Sequence, residues 1–236
     1  MPGVKTGELY AGLDPAGRTD RPSGLALLDG GLRVIRLATG GPDAELEAFL
    51  EPHQERTRWV GLDGPVGVPR DLGRCCFEGA RPQCACRQPE GLKGREAERA
   101  MSALGIGIYY LTKKAFARSW IQRSLNLADR LSRLGYQVLE VYPYGTKCRL
   151  WGRTLPPKET LQGRRILRTH LQELGLLLPE SRLPSHHELD ALVAAYTAWL
   201  HDRGGTECHG DPEEGAIVLP RLEIGALCLG PRPNVD

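Results

Sequence analysis

Leu9-Tyr10-Ala11-Gly12-Leu13-Asp14 is an apolar run closed by a carboxylate, and it anchors the reading of the whole chain. An apolar stretch of this length bounded by turn residues reads as a buried strand. A carboxylate at its end is costly unless a partner or a metal ion neutralises it. Gly24 to Leu28 is a second apolar run, and Leu32 to Leu37 alternates after Asp29-Gly30-Gly31, a strong hairpin signal. Three antiparallel strands follow. Pro42-Asp43 then opens a helix with Leu46, Phe49 and Leu50 at helical spacing, and Arg58 to Leu62 returns as a short strand ending on Asp63. A strand reached through a helical crossover lies parallel to its neighbour.

Beyond Asp63 the composition turns to Gly, Pro, Arg and Cys without a usable period, so residues 64–91 read as an irregular insertion within a single domain spanning residues 1–236. Lys93 to Leu104 has helical character. Ala115 to Leu134 carries a clear apolar stripe with Gly135 as its stop. Gln137 to Tyr142 predicts a fifth strand, Lys158 to Leu174 a basic amphipathic helix, Ser185 to His201 a last long helix, and Ala216 to Leu219 one more short strand. The expected class is α/β, a mixed five-stranded sheet flanked by helices with an irregular Cys-rich insertion.

With 236 residues and 41% hydrophobic content the chain can build an ordinary core. No apolar run approaches the roughly 20 residues of a membrane span, and Met-Pro-Gly-Val-Lys-Thr-Gly-Glu lacks the apolar stretch of a secretory signal, so the expectation is a cytoplasmic protein. The net charge of +2 hides a lopsided distribution: residues 81–168 hold 18 Lys and Arg against 6 Asp and Glu. Such a block suits a phosphate-rich partner, DNA or RNA, because each neutralised phosphate releases counterions; a solvated helical face is the plainer reading. Lys113, Lys114, Arg118, Arg123, Arg164, Arg165 and Arg168 are the candidate phosphate contacts. Tyr109 and Tyr110 either stack on bases or belong to the core.

Glu140 interrupts its strand as Asp14 and Asp63 end theirs, and it either joins them or pairs with an Arg. Asp190 in mid-helix has poor helix propensity, which points to a function. His187 stands three residues earlier on the same face, although a histidine in a helix's first turn is common and His186 competes with it. Asp14-Pro15-Ala16-Gly17 also fits a type I turn. Cys75, Cys76, Cys84 and Cys86, four of seven cysteines, read either as zinc ligands stapling the insertion or as reduced thiols; Cys148, Cys208 and His209 are further candidates if the adjacent pair gives only one ligand.

The strand and helix order resembles the ribonuclease H-like fold. The motifs Gly12-Leu-Asp14-Pro-Ala-Gly17, Gly61-Leu-Asp63-Gly-Pro-Val-Gly67-Val-Pro69, Leu139-Glu140-Val-Tyr-Pro143 and Glu188-Leu-Asp190-Ala-Leu-Val-Ala-Ala195 are similar to those of the predicted nucleases catalogued as domain of unknown function family four-twenty-nine. The wider superfamily includes Holliday-junction resolvases, some with a histidine three residues before the last aspartate, as His187 precedes Asp190. The resemblance covers roughly residues 8 to 220. It implies a nuclease in which Asp14, Asp63, Glu140 and Asp190 hold two Mg²⁺ or Mn²⁺ ions about 4 Å apart, Asp14 bridging and His187 positioning water. The rivals are a phosphotransferase or ATPase of the actin and sugar-kinase type, for which a second copy of the Asp-turn-hairpin pattern is missing from the sequence, and a non-catalytic nucleic-acid-binding protein. Oligomeric state is open.

Overall fold

The computed structural model describes residues 7–79, 84–153 and 155–222. The N-terminal stretch Met1–Thr6, on which the leader reading rests, lies outside the described residues, as do residues 80–83 of the insertion. No helix among the described residues is long and apolar enough to cross a membrane.

Strands β1 (Leu9–Asp14), β2 (Ser23–Asp29) and β3 (Val34–Gly40) form the expected antiparallel meander, and helix α1 (Asp43–Leu50) leads to β4 (Thr57–Asp63). Past the insertion come α2 (Glu96–Ala103), α3 (Arg118–Arg133) and β5 (Val138–Val141), then α4 (Pro143–Trp151), α5 (Leu161–Glu173), α6 (His186–Asp202), β6 (Thr206–His209) and β7 (Ile217–Pro220). Their order in the sheet is β3-β2-β1-β4-β5-β7-β6, with β4, β5 and β7 parallel to β1. Five of the strands follow in the order 3-2-1-4-5 from one edge, a ribonuclease H-like arrangement, and β7 and β6 extend the sheet beyond β5 to seven.

Every residue of β1 is buried, as befits a strand covered on both faces. On one side Leu9, Ala11 and Leu13 pack with Leu62, Phe49 and Leu127 beneath α1 and α3. On the other, Ala26 and Leu28 meet Leu189, Leu192 and Tyr196 of α6 and Leu167 and Leu171 of α5.

Several boundaries depart from the sequence reading for local reasons. Helix α5 starts at Leu161 rather than Lys158 because Thr160 caps it, its hydroxyl accepting from the Gly163 N–H at 2.9 Å. Helix α3 starts at Arg118, and the Asp14-Gly17 turn is displaced: the Arg21 N–H closes a turn on the Arg18 carbonyl, while Ser23 Oγ takes the Ala16 N–H at 3.1 Å. Helix α4 and strand β6 had no counterpart in the periodicity. At α4, nine residues carry Pro, Gly and Thr and give no clean stripe, although Pro143 at its first position is a start signal.

Candidate active site

Strands β1 and β4 are neighbours in parallel register, Leu13 beside Leu62, so the residues that follow, Asp14 and Asp63, end adjacent strands side by side. Side chains alternate along a strand, and Gly12 and Gly61, two residues before each aspartate, therefore share their face. A Cβ on Gly12 would lie 1.9 Å from the Ala191 carbonyl oxygen, and one on Gly61 would lie 2.5 Å from that of Ala194. These two glycines let α6 lie directly on the sheet, which brings His187 and Asp190 to the two strand ends. Ser185 starts α6 with a reciprocal cap: its hydroxyl accepts from Glu188 N–H, and the Glu188 carboxylate accepts from Ser185 N–H at 2.8 Å.

His187 Nδ1 lies 2.8 Å from Asp14 Oδ2. An ionised carboxylate only accepts, so this contact puts the ring proton on Nδ1 and leaves Nε2 as the basic nitrogen. Asp190 is 1% exposed, and its two oxygens meet two ammonium groups, Lys147 Nζ at 2.8 Å and Lys158 Nζ in a closer pair. Burial opposes ionisation of Asp190, yet the two lysines outweigh it and hold the carboxyl below the usual range. Asp63 has the opposite balance. Burial first, then the charges of Asp14 and Asp190, push its carboxyl well above the usual carboxylate range, and the lysines only partly offset them. Among the described residues no side chain donates a hydrogen bond to Asp63, so this partly exposed carboxylate at the cavity wall has oxygens free to meet a cation. Hard oxygen donors with one carboxylate short of positive charge suit a divalent ion such as Mg²⁺ or Mn²⁺.

Beside the acids opens a cavity of about 340 Å³, lined by Asp63, Asp190, Lys147, Lys158, Tyr142 and Tyr144 among others. Neither lysine stands among the site residues expected from the sequence, where Lys158 only opens a basic helix. Their one signal was proline: Pro143 starts α4 directly after β5 and places Lys147 one turn in, and Pro156-Pro157 delivers Lys158.

Glu140 does not join this cluster. Its register partner is Leu62, whose side chain packs under α1 and α3, so Glu140 points away from the α6 face. There Arg95, 1% exposed, clamps both its oxygens, Nη1 to Oε2 at 2.7 Å and Nη2 to Oε1 at 2.5 Å, and binds Glu98 through Nε at 2.7 Å. The pairing with an arginine, one of the two sequence readings, is the one found.

The seven basic candidates divide. Arg123 is buried, donating to Asp43 at 2.7 Å and to the carbonyls of Ala16 and Gly41, and so ties α3 to the loops after β1 and β3. Lys113 donates to the carbonyls of Cys84 and Cys86, and Arg118 to those of Lys113, Glu78 and Gly79. Arg164 and Arg168 reach the Pro184 and Pro179 carbonyls at 3.4 and 3.3 Å. Lys114 and Arg165 are exposed. Tyr110 bonds Ser102 through its hydroxyl, whereas Tyr109 is 67% exposed and packs edge-on against Phe116, itself 78% exposed.

The four sulfurs of Cys75, Cys76, Cys84 and Cys86 converge within 4.8 Å of one another, all as free thiols. Donation from Cys76 lowers the Cys84 thiol to about 6, while burial pushes that of Cys76 up to about 12. Cys148 and Cys208 are free thiols outside the group.

A sheet of this order with aspartates on two adjacent strand ends and a third on the crossing helix defines a ribonuclease H-like protein with a three-carboxylate centre. The chain belongs to the family described as "Protein of unknown function (DUF429)", whose pattern spans residues 12–215. No curated protein matches it. Two solved structures of RuvC from Thermus thermophilus are similar to it. The one in complex with a Holliday junction substrate is 19% identical, covering 84% of this chain and 96% of that one with a TM-score of 0.40. The other is 20% identical, covering 83% and 96%, also with a TM-score of 0.40.

Proposed function

We propose that the protein is a divalent-metal-dependent nuclease that hydrolyses phosphodiester bonds of nucleic acid at the Asp14, Asp63 and Asp190 centre. The observation that carries this reading is the convergence of three carboxylates, Asp14 and Asp63 on adjacent strand ends and Asp190 on the crossing helix, with His187 on Asp14 and two lysines on Asp190. Asp14 and Asp63 are the ligands it assigns to Mg²⁺ or Mn²⁺, with Asp190 completing the acid face. Charge favours one ion over the pair expected from the sequence. Three carboxylates against two ammonium groups leave one net negative charge, which a single divalent ion reverses and two would drive to three positive charges. When bound, such an ion stabilises charge building on the phosphate.

The chain's own groups supply the rest. Lys147 and Lys158 attract the scissile phosphate into the cavity and are held in place by Asp190. Asp14 orients His187 through Nδ1, so that Nε2 takes a proton from the attacking water. The exposed Tyr109 and Phe116 offer a stacking platform for bases.

One observation favours a second reading. Both oxygens of Asp190 already hold ammonium groups, as they would in a nucleic-acid-binding protein that kept the fold without turnover. The test is incubation of wild type and Asp14→Asn with linear and branched DNA and RNA, in Mn²⁺ and in chelator. Cutting by wild type in Mn²⁺ alone, lost in the variant, supports the nuclease. Salt-sensitive binding that survives in Asp14→Asn without cutting by either protein supports the binder.

A further inference from the structure

The insertion that interrupts the sheet after β4 has few apolar residues of its own, yet several of its described residues pack against α3. Leu72, Cys76 and Phe77 pack with Leu111, Ile121 and Leu125, joined by the half-buried Cys84 and Cys86. Four cysteines on two chain segments meet at this point. Cys75 and Cys86 bring their sulfurs to 3.7 Å and Cys76 and Cys84 to 3.3 Å, and all four sulfurs lie within 4.8 Å of one another. These separations are too long for disulfide bonds, whose sulfurs lie about 2.05 Å apart. They match a tetrahedral thiolate shell instead: with metal–sulfur bonds of about 2.3 Å, sulfurs at the corners of a tetrahedron stand about 3.8 Å apart.

We infer that Cys75, Cys76, Cys84 and Cys86 bind one structural zinc ion that staples the insertion to α3. Four sulfur ligands select a soft or borderline ion over Mg²⁺ or Ca²⁺, and a closed four-coordinate shell leaves no open position for substrate. Each thiol gives up its proton on binding, so the loaded site carries two net negative charges, four thiolates against Zn²⁺. The chain supplies a counter-charge beside it, because the Lys113 ammonium donates to the Cys84 carbonyl and, at 2.9 Å, to that of Cys86. Arg118 holds the other side of the same loop by the Glu78 carbonyl at 2.9 Å. Two residues expected to face phosphate thus serve to close the cysteine loop.

Adjacent cysteines in a zinc shell depart from the usual Cys-x2-Cys knuckle. The short helical turn at Arg74–Cys76 resolves the difficulty: Cys76 is buried and Cys75 exposed, yet both sulfurs remain within the cluster.

The test uses the full chain purified without chelator, with zinc and iron measured per chain and the zinc environment read by X-ray absorption. One zinc per chain with four sulfur neighbours at about 2.3 Å is the expected result. Zinc content that falls to near zero in Cys75→Ser and stays at one per chain in Asp14→Asn agrees with it, and separates this site from the carboxylate centre. No variant needs to fold for the first measurement to decide. Metal-free protein that stays folded with all seven thiols titratable, a chain two disulfides lighter in mass, iron in place of zinc, or zinc with nitrogen or oxygen neighbours would each overturn the assignment.

Discussion

Asp63 and Glu140 look alike in the sequence, each an acid within an apolar strand, and the fold gives them opposite partners. One position in register separates them: Leu62 lies beside Glu140, so the next residue, Asp63, takes the α6 face. Glu140 is paired with a buried arginine, and breaking such a pair costs about 3–5 kcal/mol. Glu140→Ala should therefore lower Tm by many degrees in a thermal melt, with or without divalent ion. Asp63 should behave in the reverse manner. Its carboxyl is raised in the fold, so the stability it contributes is present below the unfolded carboxylate range, about 3.9, and is lost as pH rises through the folded value. In chelator Asp63→Asn should then melt higher than wild type at neutral pH and close to it in acid, and should lose most of the stabilisation that saturating Mn²⁺ gives wild type, about 2.7 kcal/mol at a hundred times Kd. Equal melting of the two proteins in chelator across that range would show that Asp63 carries no such penalty. His187→Ala should slow cleavage by about 10² to 10⁴ while leaving nucleic-acid binding intact, and binding and rate measured together check it.

At the scale of elements, the sequence was legible where a period or a turn residue carried the information. The meander, α1, α3 and α6 all declared themselves by alternation, by Asp29-Gly30-Gly31 or by apolar stripes, and the sheet positions of Asp14 and Asp63 came with them. Helix α4 did not, because Leu150 is the one large aliphatic side chain among its buried residues, and the burial of Gly145, Thr146 and Lys147 depends on partners far along the chain. Lys147 and Lys158 escaped for the same reason: a lysine reads as solvated until a buried carboxylate is seen opposite it. The Gly-x-Asp repeat on β1 and β4 was in plain view, and only the packing of α6 explains it. Gly12→Ala would set a methyl against a backbone oxygen that cannot move aside, beyond the about 1–3 kcal/mol of ordinary overpacking, and each kcal/mol lowers Tm by about 2–4 °C in a domain of this size. An unchanged melting temperature and unchanged cleavage would show that α6 is free to lift.

Over the whole molecule, the basic block at residues 81–168 turned out to be partly architectural. Arg95, Arg123, Lys113 and Arg118 hold carboxylates or carbonyls of the chain itself, Lys147 and Lys158 serve the acid centre, and only Lys114 and Arg165 among the seven proposed contacts stand exposed. Nucleic-acid affinity should consequently fall with salt as for a few phosphate contacts, with a slope of about 0.9 per contact on duplex DNA, rather than for a dozen. Lys114→Ala with Arg165→Ala should reduce that slope without changing the melting curve. The two faces of the sheet divide the work: a clamped Arg95–Glu140 pair and an apolar layer below, and three acids with two lysines above, where α6 crosses. The claim on which the account rests is that this upper face cuts phosphodiesters with a divalent ion. Mn²⁺-dependent cleavage of a panel of linear and branched nucleic acids by wild type, Asp14→Asn and Asp63→Asn tests it most directly: cutting by wild type that vanishes in chelator and in both folded variants is the predicted result, and cutting that persists in either variant, or none by wild type on any substrate it binds, would contradict it.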